Sequence, residues 1–158
     1  MTKLNKAAAD TTDREIVSSR VLAANREDVF RAFSDPVRLA EWWGPKGFTN
    51  HFQQFEFRTD GAWRFTMHGP DGTVYAMDHR FQEIVTPERI VVRHLQPGHD
   101  FTLTVSLAGR AGGTEIAWHM CFDDPAEATR VRPFVVPANE QNLDRLAACL
   151  SGTKPAIR

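Results

Sequence analysis

Two histidines stand in stretches of alternating apolar and polar residues, where a buried imidazole would be able to bind a ligand or transfer a proton. His79 lies between Met77 and Phe81, in the apolar phase of one such stretch. His94 shares the apolar phase of Val92 in the next stretch. An imidazole titrates near neutral pH and both donates and accepts hydrogen bonds, so it suits ligand orientation and acid–base chemistry.

The turn TPER at residues 86–89 joins these two stretches into a hairpin. Pairing Ile84 with Arg89 sets His79 directly opposite His94, with both side chains on one face about 5 Å apart. Ile84 is out of phase with the apolar residues before it. A β-bulge there would shift the pairing by one residue, so the register stays open at this point.

Three interpretations of the histidine pair follow from its position. The imidazoles are core side chains bonded to backbone or water, polar anchors of a ligand site, or acid–base groups of a cyclase-like or hydrolase-like reaction. We expect no metal and no cofactor, because no third Cys, His or carboxylate is placed to complete a metal site. His68 and His119 fall in the polar phase and are expected to be solvated.

Large aromatic and methionine side chains share the apolar phase of the same strands. Core packing is their ordinary role, but flexible methionines among aromatic rings also suit an adaptable apolar ligand site. Tyr75 is the only tyrosine, and its hydroxyl would need a buried partner or a ligand oxygen. The predicted ligand-binding residues are Trp43, Trp63, Phe65, Tyr75, Met77, His79, Phe81, His94, Phe101, Trp118, Met120, Asn139 and Leu143.

Adjacent tryptophans stand in the stretch AEWWGPKGFT at residues 40–49. Neighbouring residues on a helix point about 100° apart, so Trp42 and Trp43 cannot face the same part of a core. We expect Trp42 to pack the helix and Trp43 to form the rim or lid of a cavity. Alternatively, both indoles anchor the helix to different parts of one core. Gly44 is expected to end the helix.

The elements that position these residues form an α+β domain. A β-rich stretch at Glu15–Ala24 precedes two short helices, and about six strands of period two follow between Phe48 and Phe122. Pro133 and Pro137 predict a short helix and then a long one, bent or restarted near the second proline. An antiparallel sheet with one apolar face needs a cover, and this C-terminal helix is long enough to supply it.

The C-terminal helix has recognisable ends and faces. Asp124 is the predicted N-cap, Pro125 occupies the first helical position, and Glu127 is the predicted capping-box acid. Leu143 belongs to the apolar side, whereas Arg145 is predicted on the solvent-exposed side.

Composition limits the function classes. The chain has 158 residues, 42% of them hydrophobic and 25% charged, with a net charge of −1. This argues against a nucleic-acid binder or a membrane-surface module, and no apolar run has the length of a membrane span. Cys121 and Cys149 are read as free thiols in a reducing cytoplasm. We expect tails at residues 1–13 and 151–158 around a single domain at 14–150.

Four motifs in order resemble a known family: "LAEWWGPKGFT", "GAWRFTMHGPDG", "EIVTPERIV" and "VVPANEQNLDRLAACL". They are similar to bacterial homologues of the activator of heat-shock protein 90 ATPase, in the START-like or polyketide cyclase-like (SRPBCC) superfamily. The resemblance covers roughly residues 14–150. It implies the helix-grip fold, in which a curved antiparallel sheet of six to seven strands wraps around a long C-terminal helix. A deep pocket between them, with the two short helices near its mouth, is implied as well.

The resemblance leaves several functions open. We expect binding of a small hydrophobic or aromatic molecule rather than catalysis, with a cyclase or hydrolase as the alternative. A chaperone partner ranks last, because the eukaryotic co-chaperone carries an additional N-terminal domain for which 158 residues leave no room. Some relatives have a Gly-Trp pair where this chain has Ala138-Asn139, so a more polar lining is expected. A homodimer through a strand edge or the tryptophan loop is compatible with the sequence.

Overall fold

A computed structural model of the protein describes residues 13–152, and most of the two predicted tails lies outside this range. Seven antiparallel strands form one curved sheet in the order β1-β7-β6-β5-β4-β3-β2. The strands are β1 Glu15–Leu22, β2 Thr49–Phe55, β3 Ala62–His68, β4 Val74–Val85, β5 Arg89–His94, β6 Phe101–Arg110 and β7 Gly113–Phe122. The helices are α1 Arg26–Ser34, α2 Pro36–Trp42 and α3 Pro125–Leu150. The predicted α+β helix-grip architecture is confirmed.

The two short helices begin where the sequence indicates. The Asn25 side chain accepts a hydrogen bond from the Asp28 backbone N–H at 2.8 Å, and it caps α1. The Asp35 carboxylate accepts from the Val37 N–H at 3.0 Å, and Pro36 follows it at the first position of α2. Both caps satisfy N–H groups that have no partner inside the helix. Asp35 ends α1 and caps α2, so this single residue separates the two helices.

Helix α3 runs without interruption for 26 residues, so the predicted break near Pro137 is wrong. Pro133 and Pro137 are exposed and lie four residues apart on one side of the helix. The opposite side buries apolar residues such as Leu143 and Leu146, and this packing keeps the helix continuous across both prolines. Neither α3 nor another helix within residues 13–152 combines the length and apolar character that a membrane crossing requires.

One face of the sheet is apolar and covered by the helices. Burial alternates along β3, β5, β6 and β7, as the period-two pattern predicts. The two histidines predicted on the other face are there: His68 is exposed, and the His119 Nε2 lies 2.9 Å from a carboxylate oxygen of Glu15. The apolar phase read from the sequence therefore identifies the inner face of the sheet.

The pairing of β4 with β5 places His79 opposite His94, which is one of the registers that the sequence left open. The pairing next to the turn differs from the predicted pairing of Ile84 with Arg89. Val85 pairs with Arg89, and Ile84 pairs with Ile90. A bulge after Phe81 then shifts the register by one residue. The one-residue error at the turn and the bulge cancel, which brings the two imidazoles together.

Candidate ligand-binding site

A cavity of about 660 Å³ lies between the sheet, α3 and the loop that follows α2. A smaller space of about 130 Å³ shares Trp43, His79 and Met120 with it and extends towards Trp118. The larger cavity is lined by Trp43, Pro45, Phe48, Met67, Tyr75, Met77, His79, His94, Gln96, Pro97, Gly98, His99, Phe101, Met120, Glu127, Arg130, Phe134, Val135, Ala138 and Asn139. Its walls are mostly apolar, and its polar groups are concentrated at the histidines and at the mouth.

The structure brings most of the predicted site residues together around this space. Tyr75 is 42% exposed and lies at the mouth, so its hydroxyl does not need the buried partner that the sequence suggested. Trp118 reaches only the smaller space. The predicted residues that line the larger cavity are Trp43, Tyr75, Met77, His79, His94, Phe101, Met120 and Asn139.

Four predicted residues lie outside the lining of both cavities: Trp63, Phe65, Phe81 and Leu143. Trp63 stacks on Phe65 with ring centroids 4.7 Å apart and on Phe81 at 5.8 Å, so these three rings form core. Leu143 is fully buried on α3. Strand phase selects a face of the sheet, but only part of that face borders the gap beneath α3. The prediction for these four positions is therefore corrected.

The two adjacent tryptophans have different roles. Trp42 is buried, and its indole N–H donates to the Ala32 carbonyl at 3.0 Å, which packs α2 against α1 as predicted. Trp43 is only 7% exposed and lies 4.9 Å from Trp63 and 5.4 Å from Trp118 between ring centroids. It lines both cavities, so it forms an inner wall rather than a lid.

Arg145 on α3 holds the loop that carries Trp43. Its Nη1 donates to the main-chain carbonyls of residues 43–45 at 2.9–3.1 Å, and its Nη2 donates to the Glu41 carbonyl at 2.8 Å. The prediction of a solvent-exposed Arg145 is wrong, because the loop folds over that side of α3. Burial lowers the pKa of the Arg145 guanidinium from its ordinary value, yet this group stays protonated in proteins.

Two asparagines of α3 complete the attachment. The Asn142 Oδ1 accepts from the Gly44 N–H at 3.2 Å, and its Nδ2 donates to the Trp42 carbonyl at 3.1 Å. Gly44 has φ +100°, a conformation that glycine adopts readily and that lets the chain turn out of α2. Asn139 lies in the wall of both cavities, and its Nδ2 contacts the Met120 sulfur at 3.4 Å.

The two predicted histidines form a buried hydrogen-bonded pair. Each is 3% exposed, and the His79 Nε2 lies 3.0 Å from the His94 Nδ1. The His94 Nε2 lies 3.2 Å from the Gln96 Oε1, and the His94 ring stacks on Phe101 at 4.6 Å. Burial lowers the pKa of His79 well below 6.5, with a further contribution from His94, and burial also lowers the pKa of His94. Both imidazoles are therefore neutral at pH 7.

One nitrogen of the pair has no protein partner. Within residues 13–152, the His79 Nδ1 is buried and makes no hydrogen bond. The His79 ring lines both cavities, with Trp43 at 6.3 Å and Trp63 at 4.8 Å between ring centroids. A buried polar atom without a partner is uncommon in proteins, and the indole nitrogen of the neighbouring Trp63 is a second one.

Sequence reasoning missed the charged mouth of the cavity. The His99 Nδ1 bonds the Glu127 carboxylate, which also accepts from the Arg130 guanidinium at 2.6 Å. Arg130, and next His99, lower the pKa of Glu127 to about 2. Glu127 was predicted as a capping-box acid, but its carboxylate turns to these two partners instead. The Pro97-Gly98 dipeptide could have indicated this arrangement, because it predicts a tight turn. The turn reverses the chain and places His99 beside His94, with ring centroids 5.5 Å apart.

Across residues 13–152, no three His, Cys, Asp or Glu side chains come together in a group that could hold a metal ion. The arrangement offers hydrogen bonding from neutral imidazoles instead, inside a space that is largely apolar. Such a site can orient a polar group of an apolar molecule, or take up a proton from it.

Comparison with known proteins gives one family and several solved structures. Residues 23–151 match the family model described as "Activator of Hsp90 ATPase homolog 1-like protein". A crystal structure from Chromobacterium violaceum is similar at 30% identity and TM-score 0.75, with 85% of this chain and 95% of that chain covered. A solution structure from Arthrobacter aurescens matches at 20% identity and TM-score 0.83, covering 90% and 89% of the two chains. A Nitrosomonas europaea protein matches at 18% identity and TM-score 0.81, covering 90% and 97%. A search of curated proteins finds no match.

The buried histidines make the stability of the fold depend on pH. The unfolded chain takes up protons near the ordinary pKa of 6.5, whereas folded His79 and His94 take them up only at lower pH. The free energy of unfolding is therefore highest above about pH 7. It decreases as the pH drops below 6.5, by up to about 1.4 kcal/mol per pH unit for each histidine. Urea unfolding between pH 5 and 8 measures this slope.

Substituting one of the two buried histidines tests whether they cause this pH dependence of the free energy of unfolding. His79→Gln removes one titrating group while keeping a hydrogen-bonding side chain, so its slope below pH 6.5 should fall by about half. The matched control is His68→Gln at the exposed end of β3, which should keep the slope of the natural protein. Equal slopes in all three proteins would contradict the assignment.

The attachment by Arg145 is tested by Arg145→Met, which keeps the apolar stem and removes the donors. Four carbonyls then lose a charged partner, and the free energy of unfolding should fall by about 3 kcal/mol. Arg31→Met is the matched control, because Arg31 makes an exposed ion pair with Asp28 within α1. It should cost about 0.5 kcal/mol. Similar losses in both variants, measured by urea unfolding, would show that the loop does not depend on Arg145.

Proposed function

The chain belongs to the family of Activator of Hsp90 ATPase homolog 1-like proteins, and from this premise we propose that it binds one small apolar or aromatic molecule. The observation that carries the proposal is an apolar cavity of about 660 Å³ whose wall contains a buried imidazole with an unpaired nitrogen. Pockets for small molecules usually measure about 300–1,000 Å³ and combine apolar walls with a few fixed polar groups. This cavity has both properties.

The apolar walls would supply most of the affinity. Trp43 and Phe101 contribute flat aromatic rings to the wall, and Met77 and Met120 contribute flexible thioether side chains. Removing apolar surface from water contributes about 25 cal/mol per Å², so a molecule of one or two rings gains several kcal/mol before any polar contact. The thioether side chains adapt their shape at low cost, which favours a ligand of approximate rather than exact fit.

The polar residues would orient the ligand. His79 and Asn139 are each less than 10% exposed and line the same cavity, so a ligand group that reaches them is shielded from water. The mouth is formed by exposed residues, among them Tyr75, Gln96 and Phe134, which leave the space open to solvent on that side. A molecule entering there would insert its apolar part between the sheet and α3.

Acid–base catalysis in the same cavity is a second candidate, favoured by the neutral state of the histidine pair. A neutral imidazole that is shielded from water and bonded at 3.0 Å to a second imidazole can accept a proton from a substrate. This would serve a cyclase or hydrolase. The same residues would carry either function, so only turnover separates the two.

A chaperone contact is a third candidate, and it rests on the family description, which names an activator of the Hsp90 ATPase. Such a contact would use the outer surface of the domain. Variants inside the cavity would leave it unchanged, whereas they would abolish ligand binding. We place it below ligand binding because it rests on the family description alone, whereas ligand binding also rests on the geometry of the cavity.

Binding is tested with N-phenyl-1-naphthylamine, a neutral aromatic probe whose fluorescence rises in apolar surroundings. The natural protein should bind it, and Met77→Trp should weaken binding by at least about tenfold by filling the cavity. Ala76→Trp is the matched control, because it adds the same indole to the outer face of the same strand. Loss of affinity in both variants, or in neither, would contradict binding in this cavity, provided that circular dichroism shows both folded.

Turnover is tested with 4-nitrophenyl acetate, an activated ester that reports histidine-dependent hydrolysis. Under the binding proposal, the natural protein and His79→Phe release 4-nitrophenol at rates that differ by less than about threefold. A rate that falls at least about a hundredfold in His79→Phe would instead support the catalytic candidate, since general acid–base groups contribute about 10²–10⁴.

A further inference from the structure

Three histidines line the cavity, and they differ in what their ring nitrogens can contact. His79 and His94 are each 3% exposed and bond to each other. The His99 side chain at the mouth is 26% exposed, and its Nδ1 bonds the Glu127 carboxylate. Within residues 13–152, the second nitrogen of His99, Nε2, has no hydrogen-bond partner and is not buried. His99 is therefore the imidazole of this cavity that both water and a bound molecule can approach.

The carboxylate of Glu127 determines which nitrogen of His99 carries the proton. The Arg130 Nε donates to the Glu127 Oε1 at 2.8 Å, and its Nη2 donates to the Oε2 at 2.6 Å, the oxygen that also bonds His99. Arg130, and next His99, lower the pKa of Glu127 to about 2, so the carboxylate is ionised at neutral pH and can only accept. The His99 Nδ1 must be the donor, and in the neutral imidazole the Nε2 is then a lone pair. This carboxylate–imidazole dyad holds a basic nitrogen at the mouth.

Packing between separate elements holds the dyad in place. His99 lies in the connection between β5 and β6, and Glu127 and Arg130 lie in the first two turns of α3. The His99 ring makes T-shaped contacts with Phe101 and Phe122, with ring centroids 5.9 Å and 5.4 Å apart. The Glu127 side chain is only 11% exposed, so water competes little for its hydrogen bonds. An imidazole held by rings and a carboxylate in this way is preorganised for proton transfer.

We propose that His99 is a catalytic residue, a general base that activates water for the hydrolysis of an ester whose apolar part occupies the cavity. Glu127 is a positioning residue, because it acts through His99. The inference rests on the proposed binding of an apolar molecule and adds a reaction at the mouth. Exposed residues form the mouth, so water reaches the reacting atoms there, and this favours hydrolysis over cyclisation. The acid–base step thereby lies outside the buried pair of His79 and His94.

The reaction balances with water as the co-reactant. The water oxygen forms a bond to the acyl carbon while the His99 Nε2 takes a proton from this water, and the carbonyl electron pair moves onto its oxygen. The bond between the acyl carbon and the leaving oxygen then breaks, and the leaving oxygen takes the proton from His99. A carboxylic acid and an alcohol or phenol are released, and His99 is neutral again. The ionised Glu127 stabilises the imidazolium that exists between the two steps.

The activity is measured with 2-naphthyl acetate, whose aromatic part suits the cavity and whose product, 2-naphthol, is followed by its fluorescence. The natural protein should show saturable turnover, and His99→Gln should lower kcat at least about a hundredfold, because general acid–base groups contribute about 10²–10⁴. His68→Gln is the matched control at the exposed end of β3, and it should keep the kcat of the natural protein. A smaller loss in His99→Gln that circular dichroism shows to be folded, or an equal loss in His68→Gln, overturns the inference.

Glu127→Gln separates the positioning role from a structural one, and it decides the question if His99→Gln does not fold. Glutamine keeps an oxygen that accepts from the His99 Nδ1 but removes the negative charge, so kcat should fall at least about tenfold while KM stays within about twofold. A smaller fall in kcat, or a loss confined to KM, overturns the inference. If the natural protein binds N-phenyl-1-naphthylamine but does not turn over the ester, the inference fails and the proposed function stands. If the probe does not bind, both fail.

Discussion

The cavity depends on the hydrogen bonds from Arg145 to the carbonyls at the end of α2. The last carbonyls of a helix have no partner inside it, and the loop after α2 adds further carbonyls that turn inward. One guanidinium satisfies those of residue 41 and residues 43–45 together. Because Arg145 belongs to α3, the same contact ties the long helix to the short one and sets the position of Trp43, which closes one wall of the cavity.

The charged side chains of the site lie at the mouth of the cavity, and uncharged side chains line its interior. At the mouth, the Glu127 carboxylate is paired with the Arg130 guanidinium and bonded by the His99 imidazole. The interior holds neutral polar atoms, the imidazoles and the Asn139 amide, among rings and thioethers. Charged groups are expensive to bury, whereas neutral hydrogen-bonding groups are tolerated if a partner is present. This gradient favours ligands that are apolar with one neutral polar group.

The unpaired His79 nitrogen is a local cost that packing alone does not explain. Leaving a buried acceptor without a partner costs about 1–3 kcal/mol, and an apolar ring such as phenylalanine would avoid this cost. Interiors that violate a packing rule at one atom often do so at a functional position. The bulge of β4 follows Phe81, two residues after His79, so the backbone departs from regularity close to the site.

The sequence by itself determined the order of the elements and the inner face of the sheet, and it placed His79 and His94 on that face. These properties are local, because the period of a strand is written in neighbouring residues. The opposition of the two histidines was decided by the bulge after Phe81, which offsets the one-residue difference at the turn. The tertiary structure decided which inner residues border the cavity, so that Met77 lines it and Phe81 does not. It also decided the partners of Glu127 and Arg145, which local patterns assigned to a cap and to solvent. Those roles depend on distances between elements far apart in the chain, and periodicity carries no information about such distances.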